Sequence, residues 1–194
     1  MPANNHTAQS ERNTGIAVTP TGEGDGATFE LLTNSMARAE NGEIRLQGLN
    51  QPSVRAGLAF MMAAGLDTSL GDLNAALAAI EWVIPVITVN SSDGCACYIT
   101  GGSPRLSTEF DLRTLGMVLE KNGHIAGMGA GAQVLDHPAN AVLAAQKHLA
   151  QTGAPLAAGS LVVAAGITPA VEVAGGDNIL VRVQYMGSVS LRLV

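Results

Sequence analysis

Apolar and polar positions alternate along several stretches of this chain, and the alternation predicts mostly strands. Val54, Ala56, Leu58 and Phe60 alternate with Arg55, Gly57, Ala59 and Met61, a strand that Pro52 opens and that sets Arg55 and Gly57 on one face. Leu115, Met117 and Leu119 alternate with Gly116, Val118 and Glu120, and Asn122-Gly123 then separates them from Ile125; an Asn-Gly pair between apolar runs predicts a β-hairpin. Further strands are expected at Val86 to Val89, Ala96 to Thr100, Leu161 to Ala165 and Ala170 to Val173, then from Ile179 to Tyr185 and from Val189 to Leu193.

Helical spacing occurs twice. Leu73, Leu77, Ile80 and Ile84 predict a helix capped by Thr68 or Ser69 and ended by Pro85. Ala139, Val142, Ala145 and Leu149 form a stripe on a second helix that starts at Pro138 and closes at Gly153. Residues 1–27 are rich in Asn, Thr, Gly, Ser and Glu, which predicts a flexible tail ahead of a single domain over 28–194. Many strands and two helices make the expected class α+β, mainly β.

Composition narrows the partners. Of 194 residues, 47% are hydrophobic but only 3% aromatic, so the core must be built from Ala, Val, Leu, Ile and Met. Ten basic against 16 acidic side chains leave a formal charge of -6, which offers no footprint for nucleic acid or an anionic membrane. The apolar run Leu58 to Leu66 is too short to span a bilayer and no secretion signal is visible, so a cytoplasmic protein that binds a small molecule is expected. Cys95 and Cys97 form neither a disulfide framework nor a zinc pattern. Gly127, Gly129 and Ala132 satisfy GxGxxA, but no helix opens on them and no acidic residue ends a second strand, so dinucleotide binding is rejected.

The runs GMVLEKNG and GAGAQVLDHPANAV, followed by Gly159 and a terminal GSVSLRLV, resemble the 2-keto-4-pentenoate hydratase and 4-oxalocrotonate decarboxylase branch of the fumarylacetoacetate hydrolase superfamily. The resemblance extends with gaps from about Phe29 to Val194. It implies a rolled mixed β-sheet with a few packed helices, an oligomer, and a divalent metal held by a Glu-x-Glu pair and a third acidic residue, which binds a 2-oxo acid and stabilises its enolate. The matching positions here are Arg55, Gly57 and Thr88, and an aspartate of the family matches Thr28; none supplies a carboxylate. The family's helical N-terminal region with its active-site lysine has no counterpart.

The expectation is therefore a site without metal or other cofactor. Its candidate catalytic residues are Arg55, as a fixed charge for a carboxylate or enolate, with Asp93 and Thr88; Gly57, Gly94, Cys95 and Thr168 would contact substrate. Gly57, Gly94 and Ala96 would widen the pocket. The activity expected is that of a metal-independent lyase, isomerase or cyclase on an enolisable carbonyl compound, a 2-oxo acid or a polyketide-like molecule. The alternative is a non-catalytic subunit or binding module, assembling with itself or with an active relative. Each nominated residue also has a plain reading: Arg55 on a solvated strand face, Cys95 as an inert thiol, Asp93 as a turn residue and Thr168 at a strand end. Asp136 is expected to cap the second helix, His137 to be structural, and His124 and His148 to be exposed without partners.

Overall fold

The computed structural model describes residues 12–22, 26–65, 71–153 and 155–194. In chain order the strands are β1 (Asn13–Pro20), β2 (Ala27–Thr33), β3 (Ala37–Arg38), β4 (Glu43–Ile44) and β5 (Ser53–Met62); helix α1 (Leu73–Ala79) leads into β6 (Ile80–Ser91) and β7 (Gly94–Thr100). The hairpin β8 (Gly116–Lys121) and β9 (His124–Ala130) precedes α2 (Asn140–Gln151), which is followed by β10 (Leu161–Ala164), β11 (Val171–Glu172), β12 (Asn178–Val183) and β13 (Gly187–Leu193). The class is α+β and mainly β, as the alternation predicts.

One sheet has the order β2-β1-β10-β5-β6-β7-β3, with β11 beside β5, and the second has the order β4-β13-β12-β8-β9. Both are mixed: β1 runs parallel to β10, β3 to β7 and β4 to β13. The first sheet buries both faces. Val54, Ala56, Leu58 and Phe60 join Ile16, Val18 and Val162 in the larger core, shared with α2 and the second sheet. The opposite face carries Ala17, Ala59, Val86, Tyr98, Leu161 and Val163, which pack against one another because the sheet curls into a roll. Glycine permits the close approach this needs: a Cβ on Gly15 would overlap the Leu161 carbonyl, and one on Gly57 the Ala164 carbonyl.

Three expectations fail for physical reasons. Asn13–Pro20 is not a tail but a strand between β2 and β10 that buries Ile16, Ala17 and Val18; the three-residue apolar run is hidden when composition is averaged over 27 residues. The remainder of the predicted tail up to residue 11 lies outside the described residues, as do the proposed caps Thr68 and Ser69. Asp72 caps α1 instead, accepting the Ala75 N–H at 2.7 Å. Finally, α1 ends at Ala79 and Ile80 to Pro85 are strand, because the β-branched run continues directly into the predicted strand at Val86. Pro85 is tolerated there since β7 pairs only from Val86 onward and the chain leaves the ladder at Gly101, whose N–H binds the Pro85 carbonyl.

The hairpin forms with Asn122 and Gly123 both at positive φ. Helix α2 begins two residues later than predicted and buries Val142, Ala145 and Leu149 as expected. Tyr185 does not belong to β12; it sits at positive φ in the turn before β13 and is exposed. No helix among the described residues is long and apolar enough to cross a membrane.

Candidate functional site

One end of the roll is polar. There the C-termini of β1 and β6 meet the N-termini of β2, β5 and β7, and the inner faces end in Thr19, Thr28, Ser53, Arg55 and Asn90 around a cavity of about 300 Å³. The register explains the gathering: Arg55 pairs with Thr88, Ser53 with Asn90 and Thr19 with Thr28, so alternate residues on four strands turn inward together. Beneath this rim lies the apolar interior of Ala17, Ala59, Val86 and Val163.

Arg55 is half-buried at the rim and makes no hydrogen bond or ion pair among the described residues. Asp93 lies on the exposed turn above it, accepting the Ser92 hydroxyl at 3.4 Å while its own N–H binds Ser91 Oγ. Gly94 lines the cavity with φ +124°, a conformation open to glycine. Thr88 is buried below the rim, and its Oγ1 accepts from Asn90 Nδ2 at 3.2 Å, so it orients Asn90 rather than facing the cavity itself.

The other nominated residues sit elsewhere. Gly57 does not widen the pocket: the backbone of Ala164 and Ala165 fills the place of its side chain. Ala96 is the unpaired residue where the β6–β7 register shifts between Cys97 and Cys95. Thr168 is fully buried and its Oγ1 accepts the Ala56 N–H at 3.0 Å, tying the loop after β10 to β5 next to Arg55. Cys95 Sγ donates to the Cys97 carbonyl at 3.5 Å; burial first, then the negative charge of Glu30 and the neighbouring Cys97, pushes its pKa up to about 12. It is a neutral thiol.

One residue that the sequence reading missed completes the rim. Glu30 lines the same cavity and its Oε2 accepts the Cys95 N–H at 2.6 Å, linking β2 to β7 across the curl. Thr14 Oγ1 and Tyr98 Oη, 3.5 Å apart, make a second such link. Glu30 was findable: it stands two residues after Thr28, so on a strand it shares that residue's face.

Comparison with known proteins places this arrangement in context. No family model matches the chain. A 4-oxalocrotonate decarboxylase from Pseudomonas putida is 37% identical over 185 residues, covering 86% of this chain and 69% of that protein. The chain belongs to the 4-oxalocrotonate decarboxylase and 2-keto-4-pentenoate hydratase branch of the fumarylacetoacetate hydrolase superfamily. A 2-keto-4-pentenoate hydratase from Paraburkholderia xenovorans is 29% identical, over 85% of this chain and 67% of the relative. The structure of the 4-oxalocrotonate decarboxylase from Pseudomonas putida G7, complexed with magnesium and adipate, superposes with a TM-score of 0.89 at 32% identity, over 96% of this chain and 80% of that one.

In this chain the residues present do not reproduce the carboxylate set that the resemblance implies. Among the described residues no three His, Cys, Asp or Glu side chains gather to hold an ion. The positions that the resemblance would give to metal-binding carboxylates present a guanidinium at Arg55, no side chain at Gly57 and a buried hydroxyl at Thr88 that is already bonded. Glu81, the acidic residue on β6, stands at the opposite end of that strand from the cavity.

Among the described residues, the histidines stay outside the cavity. His137 Nδ1 accepts the Ala139 N–H at 3.1 Å in the turn before α2, whose N-cap Ala139 has no side-chain cap bond; Asp136, the expected cap, instead pairs with Arg113 at 2.7 Å. Burial lowers the His137 pKa, keeping the neutral acceptor form. His148 has a partner after all, stacking on Phe29 with centroids 4.2 Å apart beside a groove of about 470 Å³ between β2 and α2.

Proposed function

We propose that this chain is a hydratase- or decarboxylase-like protein whose rim site binds the anion of an enolisable carbonyl compound, such as a 2-oxo acid, and stabilises its enolate with Arg55 instead of a metal. The carrying observation is a guanidinium with no partner among the described residues on the wall of a cavity lined by polar side chains. A fixed cation that needs no reorganisation favours the oxygen on which charge develops. On this reading the reaction is a metal-independent lyase, isomerase or cyclase step, and Asn90, held by Thr88, adds a neutral polar contact.

Isothermal titration with 2-oxobutanoate, comparing the wild type with Arg55→Met, tests it. A charge-assisted bond contributes about 1.5–3 kcal/mol, so the variant should bind on the order of ten- to a hundredfold more weakly. Equal affinity for the two proteins would reject the site.

A second reading, a non-catalytic subunit that assembles with itself or with a related chain, has one specific observation behind it. Strand β9 ends the second sheet and exposes Ile125 and Met128, each 63% accessible. Apolar side chains on a terminal strand suit an interface. Light scattering of wild type against Ile125→Lys/Met128→Lys distinguishes the cases: loss of an oligomer with retained 2-oxobutanoate binding supports assembly through β9.

A further inference from the structure

We propose that Glu30 is the catalytic acid–base of the rim site and moves the proton on the carbon beside the carbonyl of the compound bound there. The inference rests on the reading of Arg55 as the anion-binding group and adds the proton carrier which that reading lacks.

Three observations converge on Glu30. It enters the cavity from β2 while Arg55 enters from β5, and the two line the same walls without forming an ion pair, which leaves room for a substrate between them. Its carboxylate is held from one side only. Oε2 accepts the Cys95 N–H at 2.6 Å, and Oε1 has no hydrogen bond among the described residues. One oxygen is thus anchored while the other stays available to take a proton.

The third observation comes from the opposite strand. A Cβ on Gly94 would stand 3.1 Å from Oε1 and 3.3 Å from the carboxyl carbon of Glu30, and the residue's φ of +124° disfavours any side chain. Glycine at this place clears the approach to the carboxylate. Asp93, the alternative base, is out on the solvated turn with its carboxylate bonded to Ser92.

The step balances without a co-reactant. The C–H bond next to the carbonyl breaks and its proton goes to Oε1; the electron pair moves through the carbon framework to the carbonyl oxygen, giving an enolate whose charge faces Arg55. The proton then returns from Oε1, either to the same carbon or, in an unsaturated substrate, to a carbon two bonds further along. The first outcome is exchange of that proton and the second is isomerisation. Neither requires an oxidant, a reductant or a metal.

Proton NMR of 2-oxobutanoate in D₂O reads the first outcome directly. The wild type should accelerate loss of the C3 proton signal over buffer. Glu30→Gln keeps an oxygen to accept the Cys95 N–H but cannot take the proton, so exchange should fall by on the order of a hundredfold or more while titrated affinity stays within about threefold. Glu30→Ala should be slow in the same way and should recover part of its rate when formate is added, which a purely structural role would not produce. Exchange by Glu30→Gln at the wild-type rate overturns the proposal, and so does a Glu30→Ala variant that formate does not restore. A wild type that binds 2-oxobutanoate through Arg55 yet exchanges no faster than buffer overturns the role of Glu30 and leaves the binding reading standing; equal binding by wild type and Arg55→Met removes that reading instead.

Discussion

At the scale of single residues, the rim site gathers side chains that stand far apart in the sequence. That Arg55, Asp93 and Gly94 line one cavity was legible from the resemblance that nominated them, together with alternation, which fixes which way a strand residue points. The places of Gly57 and Thr168 were not, since their roles depend on what approaches from elsewhere in the chain: the Ala164 carbonyl in one case, the Ala56 N–H in the other. Glu30 was missed because its significance is a contact over 65 positions with Cys95. The same contact makes a prediction for the thiol. With its pKa near 12, Cys95 holds on the order of a thousandfold less thiolate at neutral pH than a thiol titrating three units lower. In a Cys97→Ser background, iodoacetamide should therefore modify Cys95 very slowly, and Glu30→Gln, by removing a neighbouring negative charge, should speed the reaction; mass spectrometry over time measures both rates. A fast reaction in the parent would contradict the half-buried neutral thiol.

At the scale of elements, Asn122 and Asp177 join two turns that local patterns treat as separate. The Asn-Gly hairpin was readable, but not its docking: Asn122 Nδ2 donates to Asp177 Oδ1 at 2.7 Å, and Asn122 Oδ1 accepts the Asn178 N–H at 2.9 Å. Lys121 reaches the other Asp177 oxygen at 3.0 Å, and the Ala174 N–H binds it at 2.8 Å. Burial alone would raise the pKa of Asp177, yet these donors lower it below the ordinary carboxylate value. A carboxylate with a depressed folded pKa binds fewer protons folded than unfolded, so its contribution is full above the unfolded value of about 4. It is lost as pH falls through the folded value. Asp177→Asn should accordingly cost about 1–3 kcal/mol at neutral pH, with the deficit shrinking toward zero in acid; urea melts at pH 7 and below pH 3 check the sign. The false helix over Ile80 to Pro85 belongs at this scale too. Apolar residues at helical spacing were read through a β-branched run whose pairing with β5 decides the outcome, a nonlocal contact that no window along the chain contains.

At the scale of the whole molecule, the fold class and the lineage were legible because motifs in one order constrain a topology even when each motif alone is weak. The N-terminal boundary was not, since a strand of eight residues is invisible until its neighbours are known. Strand β1 is inserted between β2 and β10, pairing antiparallel with one and parallel with the other, and it contributes Ile16 and Val18 to the larger core and Ala17 to the interior of the roll. It also carries Thr19 to the rim and Thr14 to Tyr98 on the far side of the curl. Without β1 the strand bearing Glu30 would lose its pairing to the rest of the sheet, because β2 is the terminal strand and β1 its neighbour. Backbone donors on β10 would be left unpaired beside an exposed apolar face, a condition that favours aggregation. A chain beginning at Thr28 should thus fail to give a cooperative thermal transition and should not bind 2-oxobutanoate, whereas Ile16→Val in the full chain should cost about 0.5–1.5 kcal/mol and preserve binding. Calorimetry on the two proteins decides the matter: a fragment from residue 28 that melts cooperatively near the full-length temperature would show that β1 is an accessory to the roll and not part of it.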